Sequence, residues 1–258
     1  MEGTSIEDEI FACINELRKD PKVYAEHLKK RLETYKGNEY VDTKGTCLGT
    51  VEGKAPCIDA IALLETTAPL PPFELVPELV KAARVHCDDL SKTGDYVHTG
   101  SDRSTVQTRI ERYGSLEKGT CAQSIAFQSQ TGLDFVLQWL VGDGAKNRYD
   151  RGYLLSNKYK YVGIAFNPTH KKMKRCATIV FTERFLSKEA EADKKVAENP
   201  NVDPNVVPAE LSKLPPGAKE FSIARKTEDV GTKKKTTYTA TYTMEDGSKK
   251  DVTKEIFH

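Results

Sequence analysis

Apolar residues recur at Ile6, Ile10, Cys13, Ile14 and Leu17, the spacing of a single helical stripe. Thr4, with Glu7 three residues on, supplies a capping box for that helix. The stripe ends at Asp20-Pro21. Aspartate caps a helix and proline suits its first turn, so a second helix is expected to start at once. Tyr24, Leu28 and Leu32 form its apolar face, with His27 beside it as a surface or packing residue. A further helix follows Pro77, with Leu79, Ala83, Cys87 and Leu90 on one side and Gly94 where a terminating glycine belongs. Ser104 and Gln107 read as a second capping box, opening a short helix through Val106, Ile110 and Tyr113 that Gly114 ends. Leu133 to Val141 is strongly apolar and reads as a helix.

Other segments carry strand patterns. Cys121 to Phe127, Tyr159 to Phe166 and Arg175 to Phe185 are the candidates in the first part of the chain. In the third, Ala177, Ile179, Phe181 and Phe185 share one face, and Thr178, Thr182 and Arg184 the other. Helices followed by consecutive strands argue for α+β layers. Between these elements, Lys36 to Pro72 reads as an extended loop with a short helix near Ile58 to Leu64, and Gly142 to Lys158 as a polar loop.

The chain changes character after Ser187. Residues 189–216 are charged, then rich in Pro and Asn, and read as a linker arm. Residues 217–258 read as a small β module. Tyr238, Ala240, Tyr242 and Met244 alternate with Thr237, Thr239, Thr241 and Thr243. Glu245-Asp246-Gly247-Ser248 gives the turn, Lys249 to Phe257 the return strand, and Phe221 to Lys226 a third strand. So small a sheet is marginal alone, and is expected to pack on the main domain or on a partner.

Composition narrows the function classes. The 258 residues carry a net charge of +1, which gives no global field toward nucleic acid. No stretch approaches the ~20 apolar residues of a transmembrane helix. The opening MEGTSIEDEI lacks the basic and apolar regions of a secretory signal, so a cytoplasmic protein is expected, with unconventional secretion left open. The six cysteines, Cys13, Cys47, Cys57, Cys87, Cys121 and Cys176, are then expected as reduced thiols. A Cys47–Cys57 bridge is the one exception considered.

An ordered series of motifs resembles the CAP superfamily, the SCP domain of cysteine-rich secretory, antigen 5 and pathogenesis-related proteins, in its bacterial and protist-like branch. The series comprises Ile-Asn-Glu-Leu-Arg-Lys-Asp-Pro (Ile14 to Pro21), Ala-Ala-Arg-Val-His-Cys-Asp-Asp-Leu (Ala82 to Leu90), His-Thr-Gly-Ser-Asp (His98 to Asp102), Arg-Ile-Glu-Arg-Tyr-Gly (Arg109 to Gly114), Gln-Trp-Leu-Val-Gly-Asp-Gly (Gln138 to Gly144) and Tyr-Lys-Tyr-Val-Gly-Ile-Ala-Phe (Tyr159 to Phe166). The resemblance spans residues 5–188. It implies an α+β fold, a three-layer α-β-α sandwich with a groove over the sheet.

Family members often carry a His, Glu, Glu, His cluster in that groove, in some cases able to hold zinc. Carried over by position, His98 matches the first histidine. Gln123 stands for a carboxylate and Asp150 for the second histidine; Asp143 is the nearest acid for the remaining glutamate. Cys121 is a further groove-lining candidate. The set is degraded, because an amide is a poor zinc ligand and one imidazole is lost. The resemblance leaves a residual divalent cation at His98 and Asp150 as one expectation, and a hydrogen bond between those two side chains as the plainer one. His86 reads as a satisfied core histidine.

No nucleophile elbow, P-loop or HExxH motif is present in the sequence. A thiol enzyme built on Cys121 and His98 is the weakest reading. The leading expectation is a non-catalytic intracellular scaffold or protein-interaction module, with a protein partner such as a cytoskeletal or ciliary assembly. The alternative is a sterol, lipid or small-ligand binder with a degenerate metal site.

Overall fold

The first helix begins one residue later than the Thr4 capping box implies. In a computed structural model of the chain, which describes residues 4–116, 120–191, 211, 215–230 and 233–257, Ser5 is the cap of α1 (Ile6–Lys19), accepting from the Asp8 amide at 3.1 Å. Ser5 and Asp8 repeat the same spacing one step on, and acids at Glu7, Asp8 and Glu9 complement the positive helix end. Asp20 closes α1 and opens α2 (Pro21–Glu33), accepting from the Lys22 amide at 3.2 Å.

Residues 36–72 hold more structure than a loop. β1 (Glu39–Val41) pairs antiparallel with β2 (Cys47–Gly49), and the Asp42 carboxylate ties the turn by accepting from the Lys44 and Thr46 amides at 2.9 and 2.7 Å. α3 spans Ala55–Thr66, longer at both ends than the Ile58 to Leu64 run, with Pro56 in its first turn. β3 (Glu74–Leu75) and α4 (Pro77–Thr93) follow, and Gly94, at φ +78°, terminates α4 as expected. α5 (Val106–Glu111) is capped by Thr105 with Thr108, again one residue beyond the Ser104 box. β4 (Gly114–Ser115), β5 (Cys121–Phe127) and α6 (Gly132–Val141) come next.

The 142–158 segment is not a plain loop either, for it contains α7 (Tyr149–Leu154). β6 (Tyr161–His170) and β7 (Lys174–Thr182) complete the first compact unit, residues 1–185.

The sheet has four strands in the order β3-β6-β7-β5, with β3 parallel to β6 and the other pairs antiparallel. Both of its faces are covered. Val162, Ile164, Ala177, Ile179 and Phe181 join Ile10, Ile14 and Trp139 in one core. Ala165, Cys176 and Val180 join Leu79, Ala83, Cys87 and Ile110 in the other. Thr178 is therefore buried rather than wet, and its hydroxyl donates to the Ala83 carbonyl at 3.1 Å. Helices on both faces make the expected α-β-α layering.

Two close approaches fix these layers. A Cβ on Gly163 would lie 2.0 Å from the Leu79 carbonyl carbon, so only glycine lets α4 sit this near β6. On the other side, buried Arg18 of α1 donates to the carbonyls of Leu154 and Ser156 at 2.9 Å each and of Pro71 at 2.5 Å.

The second compact unit comprises residues 186–258. After β8 (Leu186–Ser187), it holds β9 (Ala218–Val230), β10 (Lys233–Met244) and β11 (Lys249–Phe257) as an antiparallel sheet with β10 in the middle. β9 is longer than the Phe221 to Lys226 run. Tyr238, Ala240 and Tyr242 are buried with Leu211, and the Tyr242 hydroxyl donates to the Leu211 carbonyl at 3.1 Å. The hairpin turns at Gly247, φ +81°, with Asp246 accepting from the Ser248 amide at 2.9 Å. Most of the linker arm, 192–210 and 212–214, lies outside the described residues.

Among the described residues every cysteine is a free thiol. Cys47 is exposed on β2 and Cys57 is buried in α3, with its Sγ 3.6 Å from the Leu28 carbonyl. The Cys47–Cys57 bridge is therefore corrected: one thiol points to solvent and the other into the core.

Candidate functional site

His98 is presented by the loop that leaves α4. His86, fully buried on that helix, pins the loop through Nε2 to the Val97 carbonyl at 3.0 Å. Since Val97 offers only an acceptor, this nitrogen carries the proton, and Nδ1 is left as a buried acceptor without a partner among the described residues. Burial, followed by the charge of Arg109, lowers the His86 pKa to about 4. Asp89 of α4 holds the same loop from below, accepting from the amide and hydroxyl of Ser101 at 2.8 and 2.5 Å.

Arg109 of α5 is the hub of the site. It is 1% exposed. One terminal nitrogen donates to the carbonyl and hydroxyl of Ser104 at 2.8 and 3.1 Å. The other donates to the His98 carbonyl at 3.0 Å and to Gln123 Oε1 at 3.2 Å. Burial lowers its pKa to about 10. His98 Nδ1 meets the same Gln123 oxygen at 3.2 Å. One amide oxygen thus serves an imidazole and a guanidinium, while Gln123 Nε2 is buried without a partner among the described residues.

Asp150 makes a different contact. It accepts from the Ser124 hydroxyl at 2.7 Å. Gln123 and Ser124 are successive residues of β5, so their side chains leave opposite faces of the strand. The expected hydrogen bond between His98 and Asp150 is replaced by two separate ones, divided by the strand. Burial raises the Asp150 pKa, opposed by the Ser124 hydroxyl and by the charge of His98.

The remaining candidates are placed elsewhere. Asp143 spends both oxygens on the backbone of the 51–52 loop, accepting from the Val51 and Glu52 amides at 2.7 and 2.9 Å. Cys121 shares a strand face with Gln123, but burial, followed by the charge of Glu111, raises its pKa and disfavours the thiolate. Among the described residues no group of three or more His, Cys, Asp or Glu could hold a metal ion. The donors at hand do not suit zinc: an amide faces His98, and a buried guanidinium touches that amide.

Asp150 and Asp143 both line a cavity of about 190 Å³, walled by Tyr35, Tyr40, Phe127 and Trp139. The sequence reading did not assemble these aromatics, because they come from four separate segments. It also passed over Arg109. The available signal was a charged residue three positions after Val106 and four before Tyr113, on the apolar stripe of a short helix.

The model of the cysteine-rich secretory protein family, CAP, matches residues 11–184. The chain belongs to the CAP family. Two solved structures are similar to this CAP protein at low identity. One is an extracellular protein containing an SCP domain from Bacillus anthracis str. Ames, at 18% identity over 45% of this chain and 35% of that one, with a TM-score of 0.36. The other is an outer surface protein from Borrelia burgdorferi, at 18% identity over 45% of this chain and 80% of that one, with a TM-score of 0.36. The match spans about a third of the Bacillus protein's length. No curated protein matches the chain. Among the described residues no helix is long and apolar enough to cross a membrane.

Proposed function

We propose that this CAP protein is a non-catalytic binding protein that works by protein association inside the cell, with residues 217–258 supplying an interface. The observation that carries the reading is the position of Arg109. Its buried guanidinium lies 3.2 Å from Gln123 Oε1, beside His98, where the family often has a carboxylate. A permanent cation there opposes a second cation, and it leaves His98 facing an amide rather than a group it could activate. The β module supports the association half of the reading. Its outer strands β9 and β11 carry Phe221, Val230 and Val252 at 37, 46 and 39% exposure, and outer strands can add to a partner sheet. A cytoskeletal assembly is the partner class tested first.

The test is detergent fractionation of cells that carry the tagged chain. Retention in the insoluble pellet, released by high salt or filament depolymerisation and lost on deletion of 217–258, is expected. Retention unchanged by the deletion sinks the module's role. Full recovery in the soluble fraction or the medium sinks the scaffold reading.

A second reading rests on the aromatic cavity. Ligand pockets usually span ~300–1,000 Å³, so a hollow of about 190 Å³ suits a small polar aromatic better than a sterol. A pull-down from lipid extract is expected to enrich no sterol. An enriched sterol would show that the cavity opens.

A further inference from the structure

The segment joining α3 to β3 contains Ala68-Pro69-Leu70-Pro71-Pro72-Phe73. Ala68, Leu70 and Pro71 each precede a proline, which keeps them extended, and each proline fixes its own φ. These restraints select polyproline II backbone, which has three residues per turn and three edges. Burial follows that period: Leu70 is half-buried and Phe73 is 2% exposed, whereas Ala68, Pro69, Pro71 and Pro72 all face solvent.

The inward edge is fastened to α1. The Leu70 amide donates to the Arg18 carbonyl at 2.7 Å, and Arg18 Nε donates to the Pro71 carbonyl at 2.5 Å. Asn15 exchanges two hydrogen bonds with the Phe73 backbone, at 2.7 and 3.1 Å. The Arg18 guanidinium lies 3.9 Å from the centre of the Phe73 ring. The segment is held in one conformation before any partner arrives, so little ordering entropy remains to be lost on binding.

We infer that residues 68–72 form a preformed docking strip for a polyproline-reading domain of the SH3 type. Such a domain offers aromatic-walled pockets to X-Pro pairs spaced one turn apart. Ala68-Pro69 and Pro71-Pro72 are such pairs, and the spacer Leu70 is turned into the protein's own fold. Lys19 and Glu16 line the hollow beside Pro69, Leu70 and Pro72. Lys19 is exposed and is the cation that this hollow offers to an acidic groove rim, while the neighbouring exposed Glu16 accepts from the Tyr24 hydroxyl at 3.2 Å. A domain that reads an aromatic side chain after Pro-Pro, as WW types can, finds Phe73 buried. Residues 68–72 belong to the first compact unit, and the inference does not depend on what residues 217–258 bind.

The experiment probes an array of purified SH3 domains, with WW domains alongside, using the full-length chain, and titrates the best binder calorimetrically. At least one SH3 domain is expected to saturate. The Pro69→Ala/Pro72→Ala variant should bind that domain roughly tenfold or more weakly, and Lys19→Glu should also weaken it. Thermal melts matching the parent show that the variants fold. Binding by no SH3 domain, binding by WW domains only, or full affinity in the double-proline variant overturns the inference.

Discussion

Arg31 of α2 and Asp134 of α6 form an ion pair at 2.9 Å whose side chains are 4% and 1% exposed. The same carboxylate accepts from the Thr131 hydroxyl at 2.8 Å and from Thr43 of the β1–β2 turn, and the guanidinium lies 4.7 Å from the centre of the Tyr40 ring. One buried contact thus joins two helices and a hairpin. Removing one partner strands the other charge away from water, at a cost of about 3–5 kcal/mol. Urea unfolding of Arg31→Met is expected to show a loss of that size. A loss below ~1 kcal/mol would mean that Asp134 reaches solvent.

Gly163→Ala tests the close approach of α4 to the sheet. The new methyl would meet Leu79 backbone at 2.0 Å, so the helix must shift. Overpacking of this kind costs about 1–3 kcal/mol, and contact with backbone places it at the upper end. Thermal unfolding measures it. The His98 ring signal should move as well, because His98 hangs on the loop that leaves α4, and an unmoved signal would separate the loop from the helix.

His86 makes stability fall in mild acid. Its folded pKa of about 4 lies below its ordinary value of 6.5. Its contribution is therefore complete above pH 6.5 and is lost as pH falls toward 4, up to about 3 kcal/mol. Urea midpoints of the parent and His86→Gln, compared across that range, should differ in slope. Parallel pH profiles would refute the assignment.

Asp150 has the opposite sign. Its raised pKa means that the buried, ionised form is penalised. Its favourable contribution is present below the ordinary value of 3.8 and disappears as pH rises through the folded pKa. Asp150→Asn keeps an acceptor for the Ser124 hydroxyl and removes the charge. At pH 7 the variant should match or exceed the parent in stability, with the advantage shrinking in acid. A deficit above ~1 kcal/mol at pH 7 would contradict this balance.

Sequence alone located the elements whose signals are local. Asp20-Pro21 marked the α1–α2 junction, Gly94 the end of α4, and Asp246-Gly247 the hairpin, and the resemblance to the CAP family held. The capping residues slipped by one position because Thr4 with Glu7 and Ser5 with Asp8 satisfy the same spacing. α7 was hidden because Arg148, at φ +48°, starts it with no side-chain cap, and six residues are too few to show a period. In the candidate site, His98, Gln123 and Asp150 were named by position from the resemblance alone. That Gln123 and Ser124 send His98 and Asp150 to opposite faces of β5 depends on strand pairing across the chain. Arg109 was missed because a buried guanidinium resembles a surface one until its four acceptors are known.

The reach of Arg18 has a consequence for the order of events during synthesis. Its guanidinium waits for the Leu154 carbonyl, 136 residues further along the chain. At ~5–20 residues per second, the ribosome needs roughly 7–27 s to make that stretch. Through this interval Arg18 can engage Pro71 and Phe73 but not its last two acceptors, and for most of it the stripe of Ile10, Ile14 and Leu17 lacks the α6 face that later covers it. The domain's first helix therefore stays open to a chaperone while the rest is made, and the domain closes only when nearly all of it has left the exit tunnel.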